Sequence, residues 1–293
     1  MKNRKGIILA GGSGTRLYPI TKTISKHLLP VFDKPMIYYP ISTLMIAGIR
    51  DILLITTPRD ILQYKALLKD GASWGINIEY AIQESPNGLA EALIIAEGFL
   101  NASPSALILG DNIFYGHSIK TTLDTANSSD GATIFTYHVH DPQRYGVADY
   151  DANGKVINIE EKPSNPKSNY AITGLYFYNN MATEYAKSLK PSSRGELEIT
   201  DLNKIYLKNS QLYTIRMNRG YTWFDTGTSE SLLEAQQFVH IMERRQGLKI
   251  NCPEEIAFRN NWISEEELLN LSKLMTNNSY GEYLTNIVLN ENR

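Results

Sequence analysis

Gly6-Ile-Ile-Leu9-Ala-Gly-Gly-Ser-Gly-Thr-Arg-Leu17 is the stretch that decides the fold. A short apolar run stops at glycine and lacks the alternation of a half-solvated strand. Such a run reads as a central strand buried on both faces, followed at once by a glycine-rich loop. Similar runs cover residues 52–56, 76–82 and 106–109, and helix-like stretches lie between them at 36–47, 60–68 and 89–99. Strands alternating with helices of this length predict β-α-β units and a Rossmann-like, mixed but mostly parallel sheet flanked by helices.

The pattern changes from Thr133 to Tyr178, where strand-like runs dominate, separated by Asp-Pro, Asp-Ala-Asn-Gly and Pro-Ser-Asn-Pro. The pair Asn153-Gly154 between two such runs predicts a hairpin, so an inserted β region is expected. Beyond Thr228 the reading is helical, with one long helix at 229–246 and shorter ones at 254–259 and 265–273. The expected organisation is a core of residues 1–228 with a β-rich second half. A helical extension, 229–293, packs on that core or serves an oligomer interface.

The chain has 293 residues, 29 Lys and Arg against 31 Asp and Glu, and a formal net charge of −2. Nothing in that balance suits duplex nucleic acid or an anionic membrane, so a bound phosphate must be held by local residues. The single cysteine, Cys252, excludes an intrachain disulfide framework and a cysteine-based zinc cluster. No apolar run approaches the ~20 residues of a membrane span, and the expected compartment is the cytoplasm.

Glycines after a strand leave no Cβ in the way, so backbone N–H groups can approach a phosphate closely. The dinucleotide-binding pattern fails because its third glycine would fall at Leu17. The P-loop pattern fails because the loop ends Gly14-Thr15-Arg16 instead of Gly-Lys-Ser/Thr. Arg16, and Lys26 in Ser25-Lys26-His27-Leu28-Leu29-Pro30, place a guanidinium and an ammonium near this bare-backbone loop, a combination suited to a polyphosphate. Asp111 follows the strand at 106–109, where ligands collect in open α/β sheets, although taken by itself a capping Asp is the better reading. Gln83 and Gly88 fall in a loop between a strand and a helix. Glu161 and Lys162 are adjacent, so in a strand they point to opposite faces. Arg194 sits in a Ser-Ser-Arg-Gly loop. The five histidines are scattered, and Cys252 has no activating base in sequence.

Gly11-Gly-x-Gly-Thr-Arg-Leu-x-Pro-Ile-Thr21, with Lys26 and Leu29-Pro30 downstream, resembles the signature of the sugar-1-phosphate nucleotidyltransferases. Asp33-Lys-Pro-Met-Ile-Tyr-Tyr-Pro40 is similar to the branch of that family that uses dTTP and glucose 1-phosphate. The likeness runs through Gln83–Glu91, Leu109–Asn112, Ile159–Pro163, Arg194–Asp201, Trp223–Thr228 and into the tail at Arg244–Lys249 and Cys252–Glu255. One departure is His27, where the family usually carries Gln.

The resemblance implies catalytic roles for Arg16, Lys26 and Lys162, and nucleotide contacts from Leu9, Ala10, Gly11, Gly12, Ser13, Gly14 and Thr15, with Gln83, Pro86, Gly88 and Asp111. It implies sugar-phosphate contacts from Tyr145, Gly146, Glu161, Lys162, Ile172 and Arg194, the pair Glu161–Lys162 needing a bend at Pro163. It pairs Asp111 with Asp225 as magnesium ligands. It also suggests a homotetramer, and a second, regulatory site at Tyr115, Gly116, Arg244, Glu255, Ile256 and Arg259. Gln83 would serve uracil and thymine alike, so a UTP-using or other-hexose enzyme stays open. A non-catalytic sensor on the same fold would be expected to lose Arg16, Lys26 or an Asp, and all are retained.

Overall fold

The computed structural model describes residues 3–12 and 14–291. Strands β1 (Lys5–Ala10), β4 (Asp51–Thr56), β5 (Asn77–Ile82) and β6 (Ser105–Leu109) lie parallel in the order β5-β4-β1-β6. Two-residue strands β2 (Pro30–Val31) and β3 (Lys34–Pro35) form a separate ribbon between β1 and β4 in the chain. Central β1 is buried on both faces. Ile8 and Ala10 join one hydrophobic cluster while Ile7 and Leu9 join the other, which is why its sequence does not alternate.

Strands β7 (Asn112–Gly116), β8 (Ala132–His138), β9 (Gly146–Tyr150), β10 (Val156–Glu161), β11 (Tyr170–Tyr178), β12 (Leu212–Met217) and β13 (Tyr221–Asp225) follow. β11 is long enough for three partners. Along one edge it pairs with β8, which carries β12. Along the other, residues 175–178 pair with β6 and Ala171 pairs with Val147 of β9. The β9–β10 hairpin turns through Asn153-Gly154 as its sequence predicts, with Gly154 at φ +80°. β7 and β13 form a separate antiparallel ribbon.

The tail helices Ser229–Gln246, Pro253–Arg259 and Glu265–Lys273 match the sequence reading, and a further helix, Ser279–Glu291, follows them. Thr228 caps the long helix in a capping box with Ser231. Leu232, Ala235 and Val239 then pack with Leu17, Val31, Met36 and Tyr39, so this helix covers the ribbon below the glycine loop. The single helix expected at 89–99 is instead two short ones, Glu91–Ile95 and Glu97–Leu100. They meet at Ala96, where ψ opens to −1° just before the poor helix former Gly98. Among the described residues no helix is long and apolar enough to cross a membrane.

Candidate active site

Strand order reverses between β1 and β6, because β4 and β5 extend the sheet on one side and β6 joins on the other. The crevice beyond the carboxyl ends at such a reversal is where open α/β sheets hold ligands. The glycine loop leaves β1 there and Gly110-Asp111 leaves β6, with the Gly110 N–H donating to the Leu9 carbonyl at 2.9 Å. The two loops therefore lie side by side, which the hundred residues between them conceal in the sequence.

A cavity of about 190 Å³ opens at this point, lined by Gly11, Gly12, Lys26, His27, Gln83, Pro86, Gly88 and Asp111 among others. The Gln83 side-chain amide donates to the Glu91 carboxylate at 2.7 Å and to the Gly88 carbonyl at 3.2 Å. Its oxygen is then turned toward Gly11, where a Cβ would stand 3.3 Å from it. Gly88 has φ +110°, and a Cβ there would come within 2.4–2.8 Å of the Leu197 backbone. Only glycine fits the conformation and the space together.

A second cavity of about 290 Å³ adjoins the first and shares Leu89, Leu109, Asp111 and Glu196 with it. Arg16, Tyr145, Gly146, Glu161, Lys162, Ile172, Arg194 and Asp225 line it. Glu161 accepts from Thr200 Oγ1 at 2.6 Å and from Arg194 at 3.4 Å, while Arg194 is held by Glu198 through two contacts of 2.9 Å. The bend expected at Pro163 falls one residue earlier. Lys162 itself takes φ +44°, the left-handed region that side chains rarely adopt, and this turns its ammonium to 3.7 Å from Glu161 Oε1. Strand alternation ends at Glu161, so the two side chains share one cavity.

Asp111 and Asp225 are joined by the β7–β13 ribbon, where Asp225 pairs in register with Asn112. Thr226 donates to the Asp111 carbonyl through both its N–H (3.1 Å) and its hydroxyl (2.8 Å). Burial would raise both carboxyl groups, yet their environments drive them apart. Asp111 forms an ion pair with Lys26 and accepts from Asn112, and these hold it well below the usual carboxylate range. Asp225 is raised to about 6 by burial and by the neighbouring charge of Asp111. Gly227 keeps the approach open, since a Cβ there would lie 3.0 Å from Arg16 Nη2 and 3.2 Å from Asp225 Oδ1.

Two mutually repelling carboxylates facing a phosphate-sized crevice suit a hard divalent cation, which completes its shell with water and substrate oxygens. Among the described residues no cluster of three or more His, Cys, Asp or Glu side chains offers an all-protein cage. The donor set thus fits a hard divalent cation and does not resemble a structural zinc site.

This glycine loop, cation pair and carboxylate pair coincide with a match of residues 5–241 to the nucleotidyl transferase family. The chain belongs to that family. A glucose-1-phosphate thymidylyltransferase of Xanthomonas campestris pv. campestris is 59% identical over 286 residues, covering 97% of each chain. One from Mycobacterium tuberculosis is 54% identical, covering 97% of this chain and 99% of its own. Among solved structures, a Bacillus anthracis protein described as a glucose-1-phosphate thymidylyltransferase, in complex with sucrose, superposes with TM-score 0.74. It is 44% identical and covers 80% of this chain and 94% of its own.

Within this nucleotidyl transferase, the residues expected at the nucleotide divide in two. Leu9, Gly11, Gly12, Lys26, Gln83, Pro86, Gly88 and Asp111 line the first cavity. Ala10 is buried in β1, and Gly14 and Thr15 lead away from the cavity into a 3-10 turn, while Ser13 lies outside the described residues. Arg16, on that turn, lines the second cavity. All six residues expected at the sugar phosphate line the second cavity. None of the residues expected at a regulatory site lines either. Tyr115 hydrogen-bonds Gln246 at 3.3 Å, and Glu255 pairs with Arg259.

Sequence reasoning missed Thr200, Glu198, Glu91 and Asn112, whose work is to hold other residues. Asn112 Oδ1 accepts from Trp223 Nε1 at 2.6 Å and from the Gly174 N–H at 3.0 Å, fixing the floor beneath both aspartates. Their signal in sequence was that each lies inside a stretch carrying the family resemblance, with no role of its own read from it. Cys252 is 1% exposed, its thiol between Glu254 and Tyr280, and burial pushes it far above the ordinary thiol range. It is a packed thiol, not a nucleophile.

Proposed function

We propose that this enzyme is a glucose-1-phosphate thymidylyltransferase, joining dTTP to glucose 1-phosphate with release of pyrophosphate. The observation that carries the reading is the meeting of two cavities at Asp111, one floored by glycines and one walled by Arg16, Lys162 and Arg194. A nucleotide in the first and a sugar phosphate in the second would bring the α-phosphorus and an attacking phosphate oxygen together beside Lys26.

The sugar phosphate is already an anionic nucleophile, so the reaction needs no general base. The barrier lies in bringing one anion onto another, and positioning with charge neutralisation lowers it. Lys26 and Arg16 would hold the leaving pyrophosphate, and Lys162 would aim the sugar phosphate. Glu161, fixed by Thr200, would accept from sugar hydroxyls. The carbonyl of Gln83, turned inward by Glu91 and Gly88, offers an acceptor for a pyrimidine N3–H. Magnesium held by Asp111 and Asp225 would supply charge neutralisation at the phosphate oxygens.

The reading extends to a cytoplasmic homotetramer. Leu233 and Ile241 on the long tail helix and Leu248 just beyond it are about half exposed, which favours contact between copies through the tail. Tyr115, Gly116, Arg244, Glu255, Ile256 and Arg259 would then belong to a regulatory site outside the two cavities.

The deciding experiment measures pyrophosphate release with four nucleoside triphosphates and several sugar 1-phosphates, with and without magnesium. Turnover with dTTP and glucose 1-phosphate that requires the metal is expected. A clear preference for UTP or another hexose would replace the substrate assignment, and no turnover with any pair would leave a non-catalytic sensor.

A further inference from the structure

Two stretches that carry the family likeness, Asp33–Pro40 and Arg244–Lys249, line neither cavity. The fold brings their charged ends together. Lys34 Nζ donates to Asp33 Oδ1 at 2.9 Å and to Glu243 Oε1 at 3.1 Å. Lys249 Nζ donates to Glu243 Oε2 at 3.0 Å and pairs with Asp33 Oδ2. Each ammonium thus touches both carboxylates, and the four groups close a ring of alternating sign with no net charge. Their side chains are only 2–16% exposed, and the Ile250 N–H gives Glu243 one more donor at 2.9 Å. Burial would raise the Asp33 carboxyl group, yet the two ammoniums hold it below the ordinary carboxylate range. A buried charge stripped of its partner is costly, so the closed ring resists opening.

The ring sits at the tip of a hairpin. β2 and β3 pair Val31 with Lys34, and the chain turns at Phe32, whose φ is +61°. Further down, the Met36 N–H donates to the Leu29 carbonyl at 2.9 Å and the Ile37 N–H to the His27 carbonyl at 2.8 Å. Lys26, the partner of Asp111, directly precedes His27. The other half of the ring belongs to the tail, with Glu243 in the last turn of the long helix and Lys249 just past its Gly247 cap. Two bonds cross between hairpin and tail, Lys34 to Glu243 and Lys249 to Asp33. We propose that Asp33, Lys34, Glu243 and Lys249 are positioning residues, joining the hairpin to the tail so that Lys26 is fixed in place against Asp111. The tail then shapes the site without lining it. Gln236 also reaches the Pro30 carbonyl at 3.0 Å, but on one arm of the hairpin and from the exposed side.

The part played in turnover rests on the proposed thymidylyl transfer, whereas the joint itself does not. Two double variants, both lacking Lys34 and both balanced in charge, isolate the crossing bonds. Asp33→Ala with Lys34→Met cuts both of them and leaves the tail pair Glu243–Lys249. Lys34→Met with Glu243→Gln keeps the crossing bond from Lys249 to Asp33. Hydrogen exchange at the Ile37 amide should quicken by about tenfold or more in the first variant and stay within a few-fold of wild type in the second. With dTTP and glucose 1-phosphate, kcat per folded enzyme should fall about tenfold or more in the first, the scale of a small misplacement at a reacting centre. The second should keep kcat within about threefold, and KM for glucose 1-phosphate should hold in both. Should the first variant not fold, Asp33→Asn with Lys34→Gln removes the same charges, keeps polar side chains and carries the same expectation. Equal changes in the two variants, or faster exchange with kcat unchanged, would overturn the proposal. The expected exchange pattern in a protein without thymidylyl transfer would sustain the joint and count against the substrate assignment alone.

Discussion

Asp225 stands in register with Asn112 across an antiparallel ribbon, which sets its carboxyl group beside that of Asp111, and burial together with that neighbouring charge raises it to about 6. One carboxylate is neutralised by a lysine and its neighbour is left to repel it. The site is therefore charged in advance for a cation.

That arrangement makes metal-free stability depend on pH. A carboxyl group raised in the folded state binds protons there that the unfolded chain releases, so its contribution falls as pH rises from about 4 to about 6. Asp111, held low, acts oppositely and only under more acidic conditions. Asp225→Asn should therefore be more stable than wild type above pH 6, by up to about 3 kcal/mol, and equal to it near pH 4. Magnesium should bind Asp225→Asn much more weakly. Parallel melting curves across pH 4–7, or an unchanged magnesium titration, would show that the two carboxylates do not interact.

Arg16 is exposed on its 3-10 turn and contributes little to packing. Arg16→Ala should lower kcat by about a hundredfold or more, the usual scale for removing a fixed group from developing charge. Its melting temperature should stay within a degree or two of wild type. Near-normal turnover in the folded variant would remove Arg16 from the reaction.

Gly88→Ala tests the loop that carries the Gln83 contact. A methyl group would run into the Leu197 backbone at a φ that alanine avoids, so loop and neighbouring segment must part. We expect about 2–4 kcal/mol lost in denaturant unfolding, with KM for dTTP raised and KM for glucose 1-phosphate little changed. Wild-type affinity for dTTP would place the base elsewhere.

Thr200→Val removes the 2.6 Å hydrogen bond to Glu161 and keeps the volume. A carboxylate losing one donor should reorient toward Arg194. KM for glucose 1-phosphate should rise about tenfold while KM for dTTP holds. An equal rise for both substrates would mean that Glu161 does not face the sugar.

Cys252→Ser should retain turnover, since the thiol is buried away from both cavities. Direct attack requires inversion at the α-phosphorus and no exchange of labelled pyrophosphate into dTTP without sugar phosphate. Exchange in the absence of sugar would establish a covalent intermediate and sink the one-step mechanism.

The apolar runs of β1, β4 and β6, the Asn153-Gly154 turn and the capped helix after Thr228 all follow from local chemistry. Runs buried on both faces need no alternation, and glycine and capping residues act within a few positions of themselves. The motifs carrying Arg16, Lys26, Gln83, Asp111, Glu161 and Asp225 were readable for the same reason, as residue types in contiguous stretches. What residue types and spacing could not supply was pairing, which for Asp111 and Asp225 the family resemblance alone implied. Asp111 meets Asp225 only because two five-residue strands, too short to announce themselves, pair across more than a hundred residues. Lys162 turns into the cavity of Glu161 because its own backbone enters a left-handed conformation, against the preference of its side chain. His27 faces two hydroxyls, one of them from the helix Ile61–Leu68, that share no local pattern with it. Hydrophobic periodicity is fixed within a segment, whereas the charge and protonation of a site depend on which segments the sheet brings together.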